Sequence, residues 1–247
     1  MNARGKLSVG PFDCNHEGEI FLVDKPIGWS SFDVVKKMKS ILRAKKIGHA
    51  GTLDPQATGL LVVCTGPKTK SVELLIGLEK EYTGTMELGV QTESYDSETK
   101  IVAQKDATLI SRGLLASTAK IFEGKQLQKP PMYSAAKYGG KPLYYYARKG
   151  RTVERAGKEI EVKEFEITSF VPPFVEFRVT CSKGTYVRSL VHDVGIALGC
   201  GATLRSLRRT RVGTFHLEDA LTMEELVGLK ADGRTSEEIR NDYSATA

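Results

Sequence analysis

In Val175-Glu176-Phe177-Arg178-Val179-Thr180-Cys181, apolar and polar side chains alternate: Val175, Phe177, Val179 and Cys181 fall on one face, Glu176, Arg178 and Thr180 on the other. A period of two with one apolar face is the pattern of a half-buried strand in an antiparallel sheet. The next residues, Ser182-Lys183-Gly184-Thr185, supply a turn and a cap for a helix predicted over 186–198 and closed by Gly199.

Upstream, the apolar run over 19–24 predicts a buried strand that ends at the turn Lys25-Pro26-Ile27-Gly28. Ser30 or Ser31 then caps a helix whose apolar positions Val34, Val35, Met38, Ile41 and Leu42 recur at helical spacing. A glycine-punctuated loop, Gly48-His49-Ala50-Gly51-Thr52-Leu53-Asp54-Pro55, leads through Gly59 into a continuous apolar strand over 60–64. Pro67 opens a helix through Leu78, a strand follows over 82–88, and a short helix over 114–122 stops at Gly124. Near the end, Thr222 and Glu225 have capping-box spacing for a last helix, followed by a polar tail over 231–247. Strands outnumber helices and do not alternate with them regularly. The class expected is therefore α+β, with a mixed, mostly antiparallel central sheet flanked by helices. The chain divides into a loose leader over 1–17, a catalytic-sized domain over 18–220 with an insertion at about 125–158, and a short helix with its tail over 221–247.

With 247 residues, 40% hydrophobic and 27% charged, the chain can bury a core without metal or disulfide staples, and disordered or fibrous classes are excluded. No apolar run approaches the ~20 residues of a spanning helix and no signal-peptide core is present, so a soluble, cytoplasmic protein is expected. Cys14, Cys64, Cys181 and Cys200 form no C-x-x-C pair and read as reduced, buried thiols. The formal charge of +6 is unevenly spread, because residues 125–158 hold nine basic side chains against one acidic. That window also holds five of the nine tyrosines, among them Tyr133, Tyr138 and Tyr144, and it reads as an irregular basic arm. Lysines neutralise phosphates and tyrosines stack on unpaired bases, so the arm suits RNA; a solvated loop with some tyrosines packed inward has the same composition.

Phosphate-loop, dinucleotide and G-x-S-x-G motifs are absent, and the four histidines lack zinc spacing, which favours a mechanism with no metal and no cofactor. The densest unusual segment surrounds Asp54, where glycines let the backbone turn tightly and approach a ligand. An aspartate before proline is also an ordinary turn residue, Arg188 an ordinary surface ion-pair former, and Tyr82 an ordinary core side chain. If Arg188 lay against Asp54, its charge would keep the carboxylate ionised near neutral pH, as a nucleophile or electrostatic stabiliser must be.

Three runs carry a resemblance: Leu22-Val23-Asp24-Lys25-Pro26-Ile27-Gly28-Trp29-Ser30-Ser31; the Asp54 loop with Ala57-Thr58-Gly59; and Cys181-Ser182-Lys183-Gly184-Thr185-Tyr186-Val187-Arg188. With Lys80-Glu81-Tyr82, Pro130-Pro131-Met132-Tyr133-Ser134-Ala135, Lys137 and Leu207-Arg208-Arg209, they resemble the TruB family of tRNA pseudouridine synthases, in family order over 18–211. The resemblance implies the pseudouridine synthase fold with RNA-binding loops. It also implies isomerisation of uridine 55 in the tRNA T loop, by base flipping and without metal or organic cofactor. The uracil leaves its N1 bond to ribose C1′, turns, and rejoins through C5.

By that likeness Asp54 is the catalytic carboxylate, Tyr82 stacks on the flipped base, Arg188 pairs with Asp54, and Tyr186 and Leu207 line the uracil pocket. His49 contacts the opened T loop, Lys25 and Pro26 brace the pocket, and the arm, with Lys129, Lys137 and Lys141, corresponds to a mobile thumb loop on the RNA. The expected partner is the tRNA T stem-loop, with no membrane and no obligate protein partner, the enzyme acting as a monomer. A closed, largely apolar pocket around Asp54 is expected, to retain the detached uracil.

Two features depart from the family. The residues after Arg211 are too few for a full PUA domain, implying a weaker grip on the acceptor side of tRNA, and the stretch Gly89-Val90-Gln91-Thr92-Glu93-Ser94-Tyr95-Asp96 varies, leaving the role of Asp96 open. Two rival functions remain: an RNA-binding or RNA-refolding protein without catalysis, and a nucleoside or glycoside hydrolase, which would need a second acid that the Asp54 loop does not offer.

Overall fold

The structure is a computed structural model that describes residues 14–232. The chain forms two compact units, one built from the segment up to Ile76 together with the segment from Thr214, the other from Gly77–Gly213.

In the first unit, strand β1 (Ile20–Lys25) pairs antiparallel with the long strand β3 (Ala57–Thr65), which also pairs with β2 (Ile47–His49). Between β1 and β2 runs helix α1 (Ser31–Leu42). Ser30 is its N-cap: the Ser30 hydroxyl accepts the Asp33 N–H at 3.1 Å, and the Asp33 carboxylate accepts the Ser30 N–H at 2.9 Å. At the end of the stretch read as a leader, Cys14 is buried and its thiol donates to the Leu42 carbonyl at 3.2 Å, while the Asn15 side chain accepts the Lys45 N–H at 2.6 Å. Residues 1–13 lie outside the described part. After β3, the single helix expected from Pro67 divides into a 3-10 stretch, Gly66–Ser71, and helix α2 (Val72–Gly77). The Thr69 hydroxyl bonds back to the Gly66 carbonyl at 2.7 Å, tightening the first part.

The second unit is built on a five-stranded antiparallel sheet. Strand β4 (Lys80–Leu88) is followed by the ribbon β5 (Val90–Thr92) and β6 (Ile101–Gln104), then by α3 (Arg112–Ile121) and β7 (Gly124–Gln128). The hairpin β8 (Lys137–Tyr138) and β9 (Lys141–Pro142) and helix α4 (Leu143–Ala147) come next, then β10 (Lys158–Val171), β11 (Phe174–Cys181), α5 (Val187–Ala197) and β12 (Ala202–Val212). The order across this sheet is β12–β4–β11–β10–β7.

Its two faces follow the alternation of β11. One face buries Met86, Phe165, Val175, Phe177 and Val179; the other carries an ion-pair lattice in which Arg178 bonds Glu164 at 3.0 Å and Glu166 at 2.7 Å, and Arg211 bonds Glu79 at 2.9 Å. Helix α5 lies against β12, and the approach is close enough that a Cβ on Gly195 would meet the Ala202 nitrogen at 2.1 Å. Gly195 is therefore a packing requirement.

The chain then returns to the first unit with helix α6 (Met223–Asp232). The expected capping box is present, the Glu225 carboxylate accepting the Thr222 N–H at 2.6 Å and the Thr222 hydroxyl the Glu225 N–H at 3.2 Å. Leu221, Met223 and Leu226 pack with Phe21, Val23, Val34, Met38, Leu61 and Val63 in one core. Each such side chain contributes roughly 1.5–3 kcal/mol on full burial, so α6 is part of the unit's core rather than an appendage. Residues 233–247 lie outside the described part. No helix among the described residues is long and apolar enough to cross a membrane. All four cysteines are buried thiols outside any disulfide.

Candidate active site

The candidate residues fall into two groups, one in each unit. In the first unit the Asp54 loop connects β2 to β3 and is tied down on both sides of the carboxylate. On the N-terminal side the Ser31 hydroxyl accepts the Leu53 N–H at 2.8 Å and donates to the Leu53 carbonyl at 3.1 Å, both residues being buried. On the C-terminal side the Pro55 carbonyl accepts the Gly28 N–H at 2.9 Å, and the Asp54 carbonyl accepts the Ala57 N–H at 3.0 Å. Lys25 is 0% exposed, and its ammonium donates to the carbonyls of Trp29 at 2.6 Å, Pro26 at 2.9 Å and Pro55 at 3.4 Å. Such a side chain holds the loop from inside. His49 is half-buried on β2.

Asp54 itself is exposed.

In the second unit, Tyr82 is buried on β4 opposite Arg209 of β12, while Leu207 stands opposite Gly84. Directly paired residues of an antiparallel ladder project to the same face, so Tyr82 and Leu207 are diagonal neighbours on one face of the sheet. Tyr186 immediately precedes α5 and has both main-chain groups bonded by one side chain: the Gln128 amide oxygen accepts the Tyr186 N–H at 2.8 Å, and the amide nitrogen donates to the Tyr186 carbonyl at 3.1 Å. This does the work of a helix cap, since Tyr186 makes none with its own side chain.

Arg188, in the first turn of α5, is buried and forms an ion pair with Asp96 at 3.4 Å. The other Asp96 oxygen accepts the Ser94 hydroxyl at 2.5 Å and the Glu98 N–H at 2.9 Å, and Arg188 also reaches the Ser94 carbonyl at 3.4 Å. Between them Tyr95 adopts a left-handed φ of 67°, with its ring stacked on His192 at 3.8 Å between centroids. The turn over 92–99 is thus organised around the guanidinium, and Asp96, whose role the sequence leaves open, is its partner.

The basic arm is less irregular than expected. It leaves the sheet as the edge strand β7, folds into the β8–β9 hairpin and α4, and is drawn together at its base where Arg155 donates to the Pro130 carbonyl at 3.1 Å. Lys129, Lys137 and Lys141 are exposed. The ammonium groups of Lys141 and Lys149 lie 4.6 and 4.3 Å from the centre of the Tyr145 ring, and these bonds and charges hold the Tyr145 phenol below its ordinary pKa. Tyr133 donates to Glu93 at 3.0 Å, while Tyr138 and Tyr144 are exposed.

Comparison with known proteins gives a consistent result. Residues 39–187 match the N-terminal domain model of the TruB family of pseudouridylate synthases. The chain belongs to this family. Residues 188–241 match the tRNA pseudouridylate synthase B C-terminal domain. The tRNA pseudouridine synthase B of Desulfotalea psychrophila is 47% identical over 226 residues, covering 89% of this chain and 92% of that protein. The protein of the same name from Chloroherpeton thalassium is 45% identical over 85% of this chain and 90% of its own length. Among solved structures, a chain of a Cbf5-Nop10-Gar1 complex superposes with a TM-score of 0.69 at 33% identity over 87% of this chain, which spans 56% of that chain. The antiparallel sheet with flanking helices is accordingly the pseudouridine synthase fold, and the TruB family's chemistry is isomerisation of uridine to pseudouridine.

Sequence reasoning missed Ser31, read only as a possible cap, and also Gln128 and the function of Asp96. Each acts on a partner 22 or more positions away in the chain, which no local pattern signals.

Proposed function

We propose that this enzyme converts uridine 55 in the T loop of tRNA to pseudouridine, with Asp54 as the catalytic carboxylate. The observation that carries this is the Asp54 loop: Leu53 and Pro55 are clamped on either side while the Asp54 residue stays exposed to an incoming nucleotide. A fixed backbone with an accessible carboxylate is the arrangement required to act on an everted base, because orientation is supplied before the substrate arrives.

The reaction balances without another reactant. The N1–C1′ bond breaks, a C5–C1′ bond forms, the proton on C5 is released, and N1 gains one. In this reading Tyr82 stacks on the base, Tyr186 and Leu207 line the uracil, Arg188 provides the countercharge of the reaction centre, and His49 meets the opened loop. Support comes from the rigid setting of Tyr186 by Gln128 and of Arg188 by Asp96. The exposed Lys129, Lys137 and Lys141 bind phosphates, offsetting the few kcal/mol of unstacking. The reading takes the enzyme as a cytoplasmic monomer that needs no protein partner.

The test is incubation of chelator-treated protein with a T-arm transcript, followed by mass spectrometry of a nuclease digest derivatised to mark pseudouridine. Pseudouridine at position 55 is expected. Free uracil would instead indicate a hydrolase, and unmodified RNA a binding protein.

A further inference from the structure

We propose that Ser31 is a positioning residue for the reaction, its hydroxyl setting the angle at which the Asp54 side chain leaves the loop. The inference rests on the reading of Asp54 as the catalytic carboxylate. A serine hydroxyl has one proton and two lone pairs, so it can donate and accept at once. Ser31 does both toward a single residue, accepting the Leu53 N–H at 2.8 Å and donating to the Leu53 carbonyl at 3.1 Å. The Leu53 carbonyl lies in the same rigid peptide plane as the Asp54 nitrogen, so fixing that oxygen fixes the plane from which the Asp54 Cα projects. Ser31 is 2% exposed and Leu53 3%, so water does not compete for these bonds.

Capping is not the task of this serine. Ser30 is the N-cap of α1, through its exchange of bonds with Asp33. The two adjacent serines therefore separate two functions that local sequence cannot tell apart: Ser30 starts the helix, and Ser31 ties the helix to the loop that carries the carboxylate.

The experiment measures kcat and KM on a T stem-loop for Ser31→Ala, Ser31→Cys, Ser30→Ala and Asp54→Asn, with thermal melting of each. Ser31→Ala is expected to lower kcat about 10- to 100-fold, the scale of a small misplacement of a reacting group, while KM stays within about twofold. Ser31→Cys, which keeps the packing but hydrogen-bonds weakly, should show the same split with less effect on melting, and it keeps the test informative if the alanine variant does not fold. Ser30→Ala should lower the melting temperature and leave kcat near wild type. The proposal is overturned if Asp54→Asn is inactive while Ser31→Cys turns over at the wild-type rate. It is also overturned if Ser30→Ala and Ser31→Ala lose kcat equally, which would mean general loosening of the segment. An active Asp54→Asn variant would instead overturn the underlying reading of the carboxylate, and this proposal with it.

Discussion

The Arg188 guanidinium and the Asp96 carboxylate meet at 3.4 Å across 92 positions of chain, with side chains only 5% and 9% exposed. A buried pair of this kind adds little net stability when complete, but removing Asp96 takes a carboxylate away from a buried guanidinium. Asp96→Ala is therefore expected to lower the unfolding free energy by more than about 1 kcal/mol, with part of the loss recovered when Arg188→Met is added. Urea unfolding of the two single variants and the double variant measures this. A loss below about 1 kcal/mol for Asp96→Ala would show that the pair is solvated.

For the arm, joint charge reversal at Lys129, Lys137 and Lys141 is expected to weaken tRNA binding. The plot of log affinity against log salt should flatten by about one unit of slope for each phosphate that is no longer neutralised. Titrations at several salt concentrations give the slope directly. An unchanged slope would mean that these exposed ammonium groups do not face the RNA.

A third prediction concerns pH. Burial pushes the Asp193 carboxyl up to about 6 from an ordinary 3.8. Below the ordinary value both folded and unfolded chains hold the proton, so there is no difference between them. Between the two values the folded chain keeps a proton that the unfolded chain has released, so stability falls as pH rises; above about 6 the whole cost remains, about 3 kcal/mol at most. Asp193→Asn should therefore match wild type below pH 4 and become progressively more stable than it up to pH 6, then keep a constant lead. His192, whose pKa burial lowers, is present in both proteins and cancels in the difference. A difference that does not vary across this range would contradict the assignment.

How much of the fold is legible in the sequence depends on how local the cause is. α1, α5 and β11 are readable because their apolar spacing is regular, and the cap of α1, Ser30, lies next to it; the cap expected for α5 from residues 182–185 is replaced by Gln128, 58 positions away. β10 escapes a reading by period although Ile160, Val162, Phe165 and Ile167 face the core. A register shift between Val162 and Glu164 moves the apolar positions out of phase, so the period of two is broken midway. β12 is hidden in the same way, with shifts between Leu204 and Ser206 and between Arg209 and Arg211, and by arginines whose partners Glu79 and Glu87 lie on or beside another strand. At the site, the Asp54 loop and the Arg188 turn are visible as motifs. The residues that hold them, Ser31, Gln128 and Asp96, act through long-range bonds and become visible only in the fold.

The most direct test of the central claim is single-turnover pseudouridine formation by Asp54→Asn on a T stem-loop, read by mass spectrometry alongside the affinity of the same variant for tRNA. The substitution removes the anion and little else, so modification should vanish while binding and melting stay close to wild type. Wild-type turnover by the amide would contradict the account, since no acidic group at residue 54 would then be needed.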